Sequence, residues 1–179
     1  MRSIWLAAIG LAVSATAMAD QVDFALNNDA FSASYSSARM GNGASVDADW
    51  FHHTDRGDVI GLGLKIDQIR GSDTASLGGK VVVISNDVKD ASALALGGAF
   101  NFGLAGQPRV RFGGHAWVAP SVTSFGDADG FVDIGLRVGY RALERGEIYL
   151  GYRYVDVSYS KHHDLKVEDG LMVGMNLSF

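Results

Sequence analysis

The sequence predicts an all-β chain: an up-and-down antiparallel transmembrane β-barrel of about ten strands, with eight as the alternative count. Three observations predict it. The first nineteen residues have the layout of a secretory signal. The remainder alternates apolar and polar residues in long rows broken by turn residues. The last row ends on a terminal aromatic, Phe179.

At the N-terminus Arg2 supplies a positive charge, and Ile4 to Val13 form an uncharged apolar run. Ala17-Met18-Ala19 places small residues where a signal peptidase reads them, so cleavage is expected before Asp20. The apolar run is too short to cross ~30 Å of hydrocarbon as a helix. Residues 1–19 are therefore read as a signal peptide and residues 20–179 as a single barrel domain.

Ten rows follow. Val22, Phe24 and Leu26 alternate up to Asn27-Asn28-Asp29, and Phe31, Ala33 and Tyr35 up to Gly41-Asn42-Gly43. Val46, Ala48 and Trp50 precede a break at Thr54 to Asp58. Ile60, Leu62, Leu64 and Ile66 precede Gly71-Ser72-Asp73. Leu77, Gly79, Val81 and Val83 end at Asn86-Asp87, and the row from Leu94 to Phe102 ends at Ala105-Gly106-Gln107-Pro108. Val110, Phe112, Ala116 and Val118 lead to a polar loop from Ser121 to Asp129. The row from Val132 to Tyr140 leads to Arg145-Gly146. Ile148, Leu150, Tyr152 and Tyr154 precede a charged loop from Ser158 to Glu168, and the last row closes the chain. Period-two alternation with turn residues at each break is the signature of strands.

Most rows have the ~9–11 residues that a tilted strand needs to cross a bilayer. An even count puts both termini on the periplasmic side. The turns at Met40–Gly43, Ile69–Asp73, Leu104–Pro108 and Ala142–Gly146 would share that side, and the two longest loops would be extracellular. Tyr35, Trp50, Tyr140, Tyr152 and Tyr154 fall near row ends, as interfacial girdles require.

The opposite face carries Asp23, Asp47, Asp49, Lys65, Asp67, Lys80, Arg111, His115, Asp133, Arg137, Glu147 and Arg153, with glycines between them. Alternation alone fits a soluble sandwich equally well. In a membrane barrel the polarity inverts, so apolar rows meet lipid and these charges fill the lumen. Near-equal numbers of acids and bases suit a closed interior that must neutralise itself. A lumen largely filled in this way is expected to leave at most a narrow polar path.

Leu171, Val173, Met175, Leu177 and Phe179 form the final row, which resembles the C-terminal signal read by the barrel-assembly machinery. Without the signal, the fifteen Lys and Arg less Arg2 face twenty Asp and Glu. An acidic chain without a basic run is a poor nucleic-acid binder. There is no cysteine, hence no disulfide framework or thiolate chemistry.

The stretch from Ala119-Pro120-Ser121-Val122-Thr123-Ser124-Phe125-Gly126-Asp127-Ala128-Asp129 through Phe131 to Val138-Gly139-Tyr140-Arg141 carries a family resemblance. With Tyr149-Leu150-Gly151-Tyr152-Arg153, Ser76-Leu77-Gly78-Gly79-Lys80 and Phe179, it resembles the YfaZ family of outer-membrane proteins. The resemblance is sharpest in the C-terminal half. It implies an outer-membrane barrel in a Gram-negative envelope and carries no catalytic residues over.

The residue types that could carry chemistry also have plainer roles. Adjacent histidines on a strand point to opposite faces, so neither His52-His53 nor His162-His163 chelates a metal alone. Exposed loop positions account for them better, and no metal or cofactor is expected. Ser121, Ser124, Asp127, His115 and His163 supply residue types for a lipid-modifying enzyme, but no Gly-x-Ser-x-Gly elbow is present. Asp127, Asp129 and Asp133 lack the acidic twelfth ligand of a calcium loop. Ser76 to Lys80 lacks phosphate-loop spacing. The expected function is a small outer-membrane barrel with a structural or interaction role or narrow passive transport. Its expected partners are outer-membrane lipid, lipopolysaccharide and, during biogenesis, the barrel-assembly machinery. The alternatives are a lipid-modifying outer-membrane enzyme and a soluble periplasmic binding protein.

Overall fold

The computed structural model describes residues 20–85, 90–126, 128–159 and 165–179. The predicted signal segment, the Asn86-Asp87 turn, Asp127 and the His162-His163 pair lie outside them. Along the chain run β1 (Gln21–Leu26), β2 (Ala30–Ser36), β3 (Ala44–His53), β4 (Gly57–Arg70), β5 (Asp73–Ser85) and β6 (Asp90–Leu104). They are followed by β7 (Gln107–Ala119), β8 (Ser124–Gly126), β9 (Ala128–Leu143), β10 (Gly146–Tyr159) and β11 (Leu165–Ser178).

All strands but β8 pair antiparallel with their neighbours, and β1 pairs with β11, so ten strands close into a barrel. Closure satisfies every ladder within the wall, which a bilayer demands because it offers no water to an open edge. The ring closes through a short ladder, Gln21–Leu26 against Val173–Ser178. By contrast, β4 and β5 pair from Asp58 to Arg70 against Asp73 to Ser85.

Both termini lie at one end, where the Phe179 amide donates to the Asp20 carbonyl at 3.1 Å. The tight turns after β4, β6 and β9 share that end. Gly71 (φ 64°) and Gly106 (φ 79°) take the left-handed conformation that two of them require. Short turns beside both termini mark the periplasmic end of a bacterial barrel. The other end carries the longer connections.

One of those connections is more ordered than the predicted loop from Ser121 to Asp129. Ser121–Thr123 form a 3-10 turn, and β8 folds back to pair with Ala91–Ala93 of β6. β9 begins at Ala128, so the loop is shorter and the strand longer than alternation indicated. β1 and β2 are the short elements of the barrel, with 6 and 7 residues, and β9 is the longest with 16.

The orientation of the wall follows the predicted inversion. Leu62 is 61% exposed, Leu96 64%, Ile134 41% and Leu150 55%, all on the outer surface. The acids and bases point inward. This arrangement removes the soluble-sandwich reading, in which those leucines would converge on a dry centre.

Candidate functional site: a charged vestibule beneath an apolar plug

The lumen has two parts. At the loop end most inward residues are apolar. Phe51, Val59, Val82, Ile84, Phe131, Val155 and Val157 are each no more than 1% exposed and belong to one cluster. Val167 joins them because the pairing of β10 with β11 shifts between Val155 and Asp156. Such a bulge adds one residue to a strand and re-aims its side chain. Burying each Phe or Val here contributes roughly 1.5–3 kcal/mol. At the rim, Asn27 Nδ2 donates to both Glu168 carboxylate oxygens, at 3.2 and 3.3 Å.

Below this plug comes a layer of charge centred on Asp133, whose side chain is 1% exposed. Arg153 donates to it through Nε at 3.1 Å and Nη2 at 3.0 Å. His115 Nε2 lies 3.0 Å from Oδ1, and Lys80 Nζ lies 3.5 Å from Oδ2 and 3.2 Å from Asp49. A carboxylate this deep is tolerated only when paired on several sides. The cations of the layer also lie against aromatic rings of the plug. The Arg153 guanidinium is 4.6 Å from the Phe51 ring centre, and Lys80 Nζ is 5.2 Å from that of Trp117.

From this layer to the turn end the lumen opens into a cavity of about 630 Å³. Its lining reaches Gln21, Arg39, Arg145 and Ser178 at the mouth and includes none of Phe51, Val82, Phe131 or Val157. Within it Arg137 Nη1 donates to Asp23 Oδ2 at 2.7 Å, and the Tyr149 hydroxyl donates to Asp23 Oδ1 at 2.5 Å. Lys65 Nζ pairs with Asp47 at 2.7 Å, and Ser36 Oγ donates to Asp47 at 2.6 Å. Arg111 Nε lies 3.6 Å from Glu147 and donates to Asn101 Oδ1 at 2.7 Å. The Ser45 hydroxyl donates to Asp67 at 2.7 Å.

The charges are unevenly distributed around the wall. Asp23, Asp47, Asp49 and Asp67 stand on β1, β3 and β4, with Lys65 among them, Lys80 on the neighbouring β5 and Arg39 between β2 and β3. Arg111, Arg137, Arg141 and Arg153 stand on β7, β9 and β10 with Asp133 and Glu147. One side of the cavity therefore holds acids and bases in near balance, and the other an excess of arginine.

Glycines make room for these long side chains. Gly61 pairs with Asp49, Gly63 with Lys80 and Gly113 with Arg137 across neighbouring strands. A Cβ at Gly61 would stand 2.5 Å from Asp49 Oδ1, one at Gly63 2.8 Å from Lys80 Cβ, and one at Gly113 2.8 Å from Arg137 Nε.

All eleven predicted lumen residues, and His115 with them, are thus inward, and the structure links them into four groups around Asp133, Asp23, Asp47 and Arg111, with Asp67 apart. The period-two rows do not announce the apolar plug. Its sequence signal is the loss of alternation near the loop end, as in Val81-Val82-Val83-Ile84 and Trp50-Phe51, where both faces are apolar.

The other candidates do not assemble. His52 points outward to Asp58 at 2.9 Å, sharing it with Trp50 Nε1, while His53 points inward. Ser124 Oγ donates to the Pro120 carbonyl in the loop, whereas His115 is held by Asp133 in the lumen. Among the described residues no group of three His, Cys, Asp or Glu is placed to hold a metal ion. Leu171, Val173 and Met175 line the outer face of β11, next to the seam with β1.

Similar proteins place this geometry in context. The sequence model of the family described as YfaZ precursor matches residues 1–179, and a precursor is what a removable leader makes of a chain. The chain is 32% identical over 139 residues to the Outer membrane protein YfaZ of Escherichia coli (strain K12), covering 76% of each. Among solved structures, it superposes on the outer membrane channel DcaP of Acinetobacter baumannii with a TM-score of 0.47 at 10% identity. That match covers 88% of this chain and 54% of the other, so this chain spans about half the length of that channel. On the KdgM porin the TM-score is 0.43 at 10% identity, over 90% of this chain and 99% of the other. The chain belongs to the YfaZ family and is an outer-membrane protein folded as a ten-stranded transmembrane β-barrel.

Proposed function

We infer that this barrel is plugged and non-conducting, with a structural or interaction role in the outer membrane rather than that of an open pore. One observation carries the reading: the loop-end lumen is filled by the cluster around Phe51 and Phe131, and the cavity stops short of it. An ion crossing there would shed its water among Phe and Val side chains, a large desolvation cost. The outer rows meet lipid and the lipid moiety of lipopolysaccharide. The final row ending at Phe179 serves the barrel-assembly machinery as its handle on the last strand.

Planar-bilayer recording of the purified barrel tests this. The native chain is expected to be silent, and a Phe51→Ala, Phe131→Ala double variant to conduct. Steady conductance by the native barrel would overturn the plugged reading.

A further inference from the structure

The outward apolar rows differ in length from strand to strand, and the three shortest stand side by side. On β1 the row runs from Val22 to Leu26, on β2 from Phe31 to Tyr35 and on β3 from Val46 to Trp50. On β6 it runs from Leu94 to Leu104, and on β9 from Val132 to Tyr140. At ~3.3 Å per residue and a tilt of about 40°, the β1 row rises roughly 10 Å along the membrane normal and the β6 row roughly 25 Å. The β6 row thus matches the ~25 Å apolar band of an outer-membrane barrel, and the rows of β1 to β3 cover less than half of it. Polar groups close the short rows at both ends. The Tyr35 hydroxyl lies beside the Asp20 carboxylate, whose Oδ1 accepts from the Ala38 amide at 2.5 Å. At the loop end the Trp50 indole donates to Asp58 at 2.8 Å, and His52 Nδ1 lies 2.9 Å from the same carboxylate, with the His52 and Asp58 side chains exposed on the outer surface. Tyr35 pairs with Ala48, and His52, one turn of alternation beyond Trp50, pairs with Asp58.

We propose that the barrel thins the membrane beside β1, β2 and β3, where its short face meets lipid whose hydrocarbon is drawn in to about half the usual depth. A wall too short for the hydrocarbon is accommodated by thinning, by snorkelling of flanking side chains or by association with another protein. Snorkelling is closed to Asp20 and Asp58, which are short side chains held in place by Ala38, Trp50 and His52. Tyr35 and Trp50 cap opposite ends of the face, and aromatics of this kind sit at headgroup level on both sides of a bilayer. A face covered by a second barrel would have no use for them. With His52 and Asp58 at the outer interface, Tyr35 falls roughly 10–15 Å below it. That depth is the middle of an ordinary band but the opposite interface of a thinned one. The ring closes beside this face, through the short ladder of β1 and β11, so the thinned lipid borders the seam. The inference rests on the outer rows meeting lipid, as proposed above, and is independent of the plug.

Depth-dependent quenching tests it, in phosphatidylcholine vesicles brominated near the headgroup, midway along one acyl chain or near its terminal methyl. The reporter is Tyr35→Trp in a Trp50→Phe, Trp117→Phe background. Leu136→Trp, in the middle of the β9 row, is the reference in the same background. The reference is expected to be quenched most by the deepest bromines. The Tyr35→Trp reporter is expected to be quenched at least about twofold more by the shallow bromines than by the deepest, with the red-shifted emission of a wet indole. Quenching strongest from the deepest bromines, or equal at all depths, would overturn the proposal. Weak quenching of the reporter at every depth would mean that protein covers the face, a second copy or another chain, and would overturn it as well. Weak quenching of the Leu136→Trp reference at every depth would instead sink the lipid-facing rows, and this inference with them. Folding is checked by heat-modifiable gel migration, and Val46→Trp, at the same end of the short face, takes over should Tyr35→Trp not fold.

Discussion

The guanidinium of Arg153 lies 4.6 Å from the ring centre of Phe51 while two of its nitrogens hold Asp133. One side chain thus joins the apolar plug to the charged layer. Removing it should leave the Asp133 carboxylate buried with weaker compensation. Arg153→Met is expected to cost ~3–5 kcal/mol. The double variant Arg153→Met, Asp133→Leu should lose clearly less than the two singles together. Urea unfolding from liposomes measures both, and strict additivity would show that the pair is not coupled.

Glycine at position 63 is a matter of space. A Cβ there meets Lys80 Cβ at 2.8 Å and the Gly79 carbonyl oxygen at 3.0 Å, and neither can swing away. Gly63→Ala should destabilise the barrel by about 1–3 kcal/mol. Gly41→Ala, with nothing within 4 Å of the added carbon, serves as the neutral control. A melting series followed by heat-modifiable migration compares the two, and equal transitions would refute the steric account.

Leu62 is exposed, yet it faces hydrocarbon. In a soluble protein an arginine would be welcome at such a position. Here Leu62→Arg should cost ~2–4 kcal/mol if its side chain sits near the bilayer midplane. Reversible folding into vesicles gives the number, and a neutral substitution would contradict a lipid-facing row.

The processed chain has two tryptophans on opposite sides of the wall: Trp50 is 44% exposed on the outer surface and Trp117 6% exposed in the lumen. Brominated acyl chains should quench Trp50 strongly in a Trp117→Phe variant. They should quench Trp117 only weakly in a Trp50→Phe variant. The opposite ranking would reverse the orientation of the rows.

Much of this architecture is legible in the sequence. The long alternating rows yielded ten strands, the turns and the outward set from Val22 to Phe179, because a two-residue period survives wherever one face is lipid and the other polar. The lumen charges were legible for the same reason. The plug was not. At Val81 to Ile84 both faces are apolar, one against lipid and one against Phe51 and its neighbours, so the pattern carries no contrast. Their pairing was also hidden: Asp23 meets Arg137 over 114 residues of sequence, a contact fixed by ring closure rather than by local spacing. The order in β8 arises from pairing with Ala91–Ala93 of a distant strand, which a polar stretch cannot announce.

The 3.1 Å bond from the Phe179 amide to the Asp20 carbonyl means that the two chain ends are already neighbours. A splice of a few residues would join them, and the ring could then be cut at Gly71-Ser72 or Ala105-Gly106 without losing a single ladder. The cylinder is in that sense circularly permutable: the position at which its polypeptide starts is a matter of synthesis, not of the finished wall.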